Sequence, residues 1–197
     1  MTALAVGPGQ PGVSRARPRP GILLDRDGTI IVDHGYVGSI DRVEFIDGSA
    51  AAIASFNRVG IPVAVVTNQA GVARGFYSIE DVTRVHRYIA ARLAVRGAHI
   101  DLFVHCPYHP AGVVEEYART SEDRKPRPGM ARAAEAALNL DLTASWVVGD
   151  RPVDVGLAQA IGASAAYLGT DRYEQPGVWA FRSLAAAADF ILERIAA

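Results

Sequence analysis

Acidic, amide and hydroxyl side chains gather in this sequence just after short apolar runs. Asp25-Arg26-Asp27-Gly28-Thr29 follows the run at residues 21–24, and Thr67-Asn68-Gln69 follows residues 62–66. Gly149-Asp150 follows residues 145–148, with Asp154 four residues on. Lys125 ends a polar stretch, just before a helical pattern. Taken singly, each group has a plain reading. Asp and Gly form turns, Thr67 and Asn68 could cap a helix, Asp154 could cap or solvate one, and Lys125 could be a surface charge. Taken together, the acids are a crowd of like charge that needs a cation. A hard divalent ion such as Mg2+, bound by carboxylates and a substrate phosphate, meets that need. The set suits phosphoryl transfer. One carboxylate can act as nucleophile and form an acyl phosphate. A second can protonate the leaving alkoxide and later activate water. A lysine, a metal and main-chain donors can neutralise the phosphoryl oxygens. No serine or cysteine nucleophile is required. Gly71-Val72-Ala73-Arg74-Gly75 lacks the Gly-Lys-Ser/Thr ending of a nucleotide-binding P-loop.

These groups must be held by strands and by the turns that leave them. Continuous apolar runs at 21–24, 62–66, 100–105, 145–148 and 164–168 read as five strands. Helical patterns occupy 48–59, 78–96, 128–140, 153–161 and 183–195. In the second of these, Ser78 and Asp81 resemble a capping box, Val82, Val85, Ile89 and Leu93 form one apolar stripe, and Gly97 stops it. Pro128 suits the first turn of the third. Alternating strands and helices, with strands apolar throughout, predict an α/β fold: a doubly wound parallel sheet covered on both faces. Ligands of such sheets bind beyond the carboxyl ends of the strands, where the acids lie. Residues 106–127 form a long polar loop, which in a compact domain calls for a function.

Length and composition narrow the partners. The chain has 197 residues, half of them hydrophobic, enough for one core and not for two full domains. A formal charge of −1 gives no bulk attraction to nucleic acid or an anionic membrane. No apolar run has the length of a membrane helix. One cysteine excludes an internal disulfide and a four-cysteine metal site. Residues 1–20, rich in Gly, Pro and Arg and without a signal-peptide core, read as a flexible tail ahead of a single domain at 21–197. Cytoplasmic localisation is the expectation.

The four clusters, in this order, resemble the signatures of the haloacid dehalogenase-like (HAD) phosphatases. The resemblance covers about residues 21–170 and implies a HAD-like Rossmannoid core with small loop caps, and Mg2+ as cofactor. It implies that Asp25 is the nucleophile and a metal ligand, and that Asp27 is the general acid/base, its main-chain carbonyl on the metal. Asp150 is then the remaining carboxylate ligand. Thr67, the Asn68 backbone and Lys125 hold the phosphoryl group, and Arg124 contacts substrate. Arg151 stands where the family often has lysine, and Asp154 supports the site from behind. Asp33-His34-Gly35-Tyr36-Val37, residues 66–75, Cys106-Pro107-Tyr108-His109-Pro110 and residues 124–130 are similar to the branch acting on sugar bisphosphates. The implied substrate is the 7-phosphate of D-glycero-D-manno-heptose 1,7-bisphosphate. Histidinol phosphate is the enzyme alternative, and a silent phosphate-binding or receiver-like module the non-enzyme one. Asp27 separates the last of these, since a receiver needs a phosphoacceptor but no acid/base. The small caps imply a monomer.

Many members of that family carry a zinc clasp in the long loop, patterned Cys-x-His and later Cys-x-Cys. The matching positions here are Cys106, Tyr108, Ser121 and Asp123, so zinc is expected to be absent. His109 and His105 stand nearby as possible substitutes. The loop is then expected to be tied down by packing of Tyr108, Val113, Val114 and Tyr117 and by hydrogen bonds of Ser121 and Asp123.

Overall fold

The structure is a computed structural model, and it describes residues 2–5, 17–170 and 175–196. Its strands are Thr2–Ala5 (β1), Ile22–Leu24 (β2), Val63–Asn68 (β3), Leu102–Cys106 (β4), Trp146–Gly149 (β5), Ser164–Leu168 (β6) and Val178–Phe181 (β7). Its α-helices are Ser49–Arg58 (α1), Ile79–Ala94 (α2), Gly129–Leu138 (α3), Pro152–Ile161 (α4) and Leu184–Ala196 (α5). The sheet order is β1-β4-β3-β2-β5-β6-β7, with every neighbouring pair parallel except β1 with β4. Without β1, the six parallel strands run in the order of a doubly wound dinucleotide-binding sheet, third-second-first-fourth-fifth-sixth. The strand order therefore reverses between β2 and β5, and a crevice opens beyond their carboxyl ends.

Alternate side chains explain the two covered faces. Ile22, Leu24, Val63, Val65 and Val148 pack on one side with Ile53 and Phe56 of α1, Ile89 and Leu93 of α2 and Ile191 of α5. Leu23, Ala64, Val66 and Val147 pack on the other with Met130 and Ala134 of α3 and Leu157 and Ala158 of α4. The α2 capping box forms as its sequence predicts: Ser78 Oγ accepts from Asp81 N–H, and the Asp81 carboxylate accepts from Ser78 N–H. Gly97 follows that helix at φ +70°, a conformation that suits glycine.

Three expectations need correction. Thr2–Ala5 is not a tail: it pairs antiparallel with β4, Thr2 opposite His105. β4 would otherwise present an open edge of main-chain donors and acceptors, and a short Thr-Ala-Leu-Ala strand satisfies it. Further along, Arg19 C=O accepts from Asp141 N–H at 2.8 Å, which pins the chain just before β2. Residues 6–16 of the expected tail lie outside the described residues. The second correction is β7, a sixth parallel strand that hydropathy alone does not mark. It is short and follows Pro176-Gly177, but Trp179 and Phe181 pack on Phe190 of α5. Third, Pro128 is the N-cap of α3 rather than its first residue.

Candidate active site

Register brings the acids together. Leu24, the last residue of β2, lies level with Val65 of β3 and Val148 of β5. Asp25 therefore leaves the sheet beside Gly149, one residue before Asp150, and near Thr67 two residues past Val65. Carboxylate oxygens of Asp25, Asp150 and Asp154 all lie within 4.8 Å of one another. Two glycines make this approach possible. A Cβ on Gly28, which sits at φ +82°, would run into the Asp150 carboxylate. A Cβ on Gly149 would run into Asp154.

Lys125, almost fully buried, is the fixed cation of the cluster. Its Nζ lies 2.9 Å from Asp25 Oδ1 and 2.7 Å from Asp154 Oδ1. Burial alone would lower its pKa, but Asp154 and Asp25 outweigh burial and hold it above the ordinary lysine value. The lysine is aimed by its own main chain. The Asn68 side-chain amide accepts from Lys125 N–H at 3.0 Å and donates to Lys125 C=O at 3.2 Å. Asp154 holds Lys125 with one oxygen and accepts from Arg151 N–H with the other, so it also caps α4.

One charge does not balance three. Burial, with Asp25 and Asp154 alongside, pushes Asp150 up to about 6, against the opposing charge of Arg151. Its buried Oδ1 has no protein partner. This orphaned oxygen, beside the Asp25 carboxylate in an all-oxygen donor set, fits a hard divalent cation. Among the described residues this is the one cluster of acidic, His or Cys side chains that could hold a metal.

The cleft over this cluster has a volume of about 580 Å3 and is lined by Asp25, Asp27, Thr67, Asn68 and Lys125 at its floor. Asp33, Tyr36, Arg74, His109, Arg124 and Arg151 stand around it. The sequence-derived positions thus meet at one cleft except Asp150 and Asp154, which do not line it but have carboxylate oxygens within 4.8 Å of that of Asp25. Arg151 reaches across the cleft to an ion pair with Asp33 at 2.5 Å, and Arg124 donates weakly to Tyr108 C=O at 3.4 Å. The long loop is anchored mainly by main-chain bonds. Val113 and Val114 N–H both donate to Ala73 C=O, and His109 N–H donates to Tyr117 C=O. Tyr108 and Tyr117 are in ring contact, and the Arg119 guanidinium lies 4.2 Å over the Tyr108 ring. Asp123 N–H donates to Ser121 Oγ. Val113, expected to pack, is 79% exposed.

Sequence reasoning missed the groups behind Asp27. Arg26 and Gln69 hydrogen-bond it, Tyr77 holds Gln69, and Arg26 is fully buried. The one available signal was an arginine set between two acids directly after a buried strand.

Comparison with known proteins bears on the same residues. A HAD-hydrolase-like family model matches residues 123–197, the stretch carrying Lys125, Asp150 and Asp154. Over 177 residues the chain is 42% identical to the D-glycero-beta-D-manno-heptose-1,7-bisphosphate 7-phosphatase of Yersinia pestis, covering 90% of this chain and 92% of that one. The chain belongs to the heptose-1,7-bisphosphate 7-phosphatase family of HAD-like hydrolases. The Escherichia coli K12 member is 41% identical over 181 residues, 92% of each chain. Among solved structures, a Mesorhizobium loti protein assigned as a HAD-like phosphatase superposes with a TM-score of 0.86 at 32% identity, covering 98% of this chain and 93% of that one. The D,D-heptose 1,7-bisphosphate phosphatase of B. bronchiseptica, complexed with magnesium and phosphate, superposes at 0.77 with 28% identity, covering 89% and 99%. As a HAD-like phosphatase, the chain has a doubly wound fold whose switch-point cleft holds acids able to bind a divalent ion.

Proposed function

We propose that this chain removes the 7-phosphate of D-glycero-D-manno-heptose 1,7-bisphosphate with Mg2+, through an aspartyl-phosphate on Asp25, and that residues 21–197 are its single catalytic domain. The observation that carries the reading is the pairing of Lys125 with Asp25 beneath a cleft ringed by three arginines. Asp25 Oδ1 takes both Arg26 N–H at 2.7 Å and Lys125 Nζ. That leaves Oδ2 for attack on phosphorus. As the P–O bond to the sugar breaks, Asp27 gives its proton to the departing alkoxide. Asp27 then takes a proton from water as that water attacks the acyl phosphate, restoring Asp25 and releasing phosphate. Thr67, the Asn68 backbone and Lys125 hold the phosphoryl oxygens. Asp25, Asp150 and the Asp27 main-chain carbonyl would hold Mg2+, which supplies charge neutralisation at those oxygens. Arg124 and Arg74 suit the second phosphate, which must be held without being cleaved, and Arg151 lies within reach of the same cleft.

The test is phosphate release from a panel of esters. Heptose 1,7-bisphosphate should exceed histidinol phosphate about tenfold or more in kcat/KM, since the latter leaves the arginines without a second anion. The reverse ranking moves the assignment to histidinol phosphate.

The same reading makes the protein a cytoplasmic monomer that acts on a small sugar phosphate and binds neither nucleic acid nor membrane. Among the described residues no helix is long and apolar enough to cross a membrane. The same reading leaves the loop at 106–125 without zinc: the positions matching the family's clasp are Cys106, Tyr108, Ser121 and Asp123, and the tyrosine and serine are poor zinc ligands. Elemental analysis after purification without added metal should give well below one zinc per chain. Stoichiometric zinc, lost together with loop order on chelation, overturns this.

A further inference from the structure

Arg26 is charged, 0% exposed and adjacent to the proposed nucleophile, yet no catalytic step proposed for Asp25 and Asp27 uses it. A buried guanidinium is retained only where it is paired and hydrogen-bonded. Its Nε donates to Asp27 Oδ2 at 3.0 Å and its Nη2 to Asp27 Oδ1 at 3.1 Å. Nη2 also reaches Val37 C=O at 2.8 Å and Gln69 Oε1 at 3.0 Å. Gln69 closes the ring: its Nε2 donates to Asp27 Oδ2 at 3.0 Å and to Thr67 Oγ1 at 2.8 Å. Tyr77 O–H in turn donates to Gln69 Oε1 at 2.7 Å and fixes that amide's orientation.

Among the described residues no other anion pairs with the fork. Two imidazoles, His86 and His105, are buried near it, with ring centroids 5.6 Å apart. Burial first, and the Arg26 charge second, holds His86 well below its ordinary range and His105 at about 4, so both are neutral at pH 7. Among the described residues the ion-pair partner of Arg26 is Asp27. Asp27 itself is 17% exposed on a loop at the cleft, where a carboxylate with two free torsions would otherwise sample several orientations. A two-pronged guanidinium sets the plane of a carboxylate, which a lysine ammonium does not.

We infer that Arg26, steadied by Gln69, is the positioning residue that aims the Asp27 carboxyl at the leaving-group oxygen. This rests on the reading of Asp27 as the general acid/base. A misaimed acid matters only where the leaving group needs a proton. A sugar alkoxide does, and p-nitrophenolate does not. kcat/KM reports steps up to departure of the leaving group, so the later role of Asp27 toward water does not enter.

The experiment compares kcat/KM for the sugar bisphosphate and for p-nitrophenyl phosphate in Arg26→Met, Arg26→Lys and Asp27→Asn. Arg26→Met should lose about 100-fold on the sugar phosphate and less than about threefold on the aryl ester, within the range general acids contribute. Arg26→Lys keeps the buried charge without the fork, and should show the same selective loss if Arg26→Met does not fold. Asp27→Asn should be at least as selective, and adding Arg26→Met to it should bring no further selective loss. Equal losses on both substrates in Asp27→Asn overturn the acid role itself. A selective Asp27→Asn beside an Arg26→Lys that loses equally on both, or loses nothing, leaves the acid role standing and overturns the inference about Arg26.

Discussion

Asp25→Asn is expected to abolish turnover, by about 10⁴-fold or more, and to leave the fold as stable as the parent. The amide keeps the size of the carboxylate at a position where Oδ1 already accepts from Arg26 N–H, so the turn after β2 need not change. What it loses is the nucleophilic oxygen. It also removes one of three negative charges that crowd within 4.8 Å of one another. Asp150, pushed up to about 6 partly by Asp25, then has one fewer neighbour opposing its ionisation. Lys125 loses Asp25 as a partner but keeps Asp154 at 2.7 Å, so the two effects oppose each other. Thermal unfolding above pH 6 without metal should therefore show a midpoint close to the parent's, even as activity disappears. Trapping with phosphorus-labelled substrate should place the label on Asp25 in the parent and nowhere in the variant. Near-parental turnover by Asp25→Asn would remove the covalent route.

The convergence of Asp25, Thr67 and Asp150 is legible in the sequence because it depends on strand ends alone. Once the runs at 21–24, 62–66 and 145–148 are parallel neighbours, the residues directly after them must meet, and those residues are acidic and polar. The Lys125 placement needed the family resemblance, since its aim comes from an Asn68 amide 57 positions away in sequence. Arg151 and Asp33 are 118 positions apart, and no local pattern pairs them. Arg26 was hidden for a different reason. Hydropathy places arginine outside, and the forces that bury this one are specific hydrogen bonds to Asp27, Val37 and Gln69 that periodicity does not encode. β1 is invisible to composition averaged over the first twenty residues. The property that orders Thr2–Ala5 belongs to its partner, the open edge of β4.

Lys125→Met carries the largest combined expectation, because it removes catalytic charge and structural charge at once. Methionine approximates the length of the lysine stem, so packing is little changed and the lost group is the ammonium. Asp25 Oδ1 and Asp154 Oδ1, on side chains 9% and 2% exposed, then lose a cation at 2.9 and 2.7 Å. Breaking a buried ion pair from one side costs about 3–5 kcal/mol. The sign of its pH dependence is set by which form is penalised. Burial and Asp25 already hold Asp154 above its ordinary value, with Lys125 pulling the other way. Without the lysine the folded-state pKa rises further. A carboxyl raised in the folded state costs stability as pH climbs from the unfolded value of about 4 through the folded one. The deficit of Lys125→Met against the parent should therefore be largest near pH 8 and shrink toward pH 5, as the stranded carboxyls take up protons. Millimolar Mg2+ should return part of the loss at pH 8, since a cation bound by Asp25 and Asp150 compensates some of the charge. Turnover should fall about 10²–10³-fold even with Mg2+ saturating, the range for removal of a preorganised group that stabilises the transition state. Denaturant titrations of both proteins at pH 5 and pH 8, with and without Mg2+, separate the two roles. A deficit that stays constant with pH would mean that the methionine disturbs packing, and that Asp154 is not the group Lys125 keeps charged.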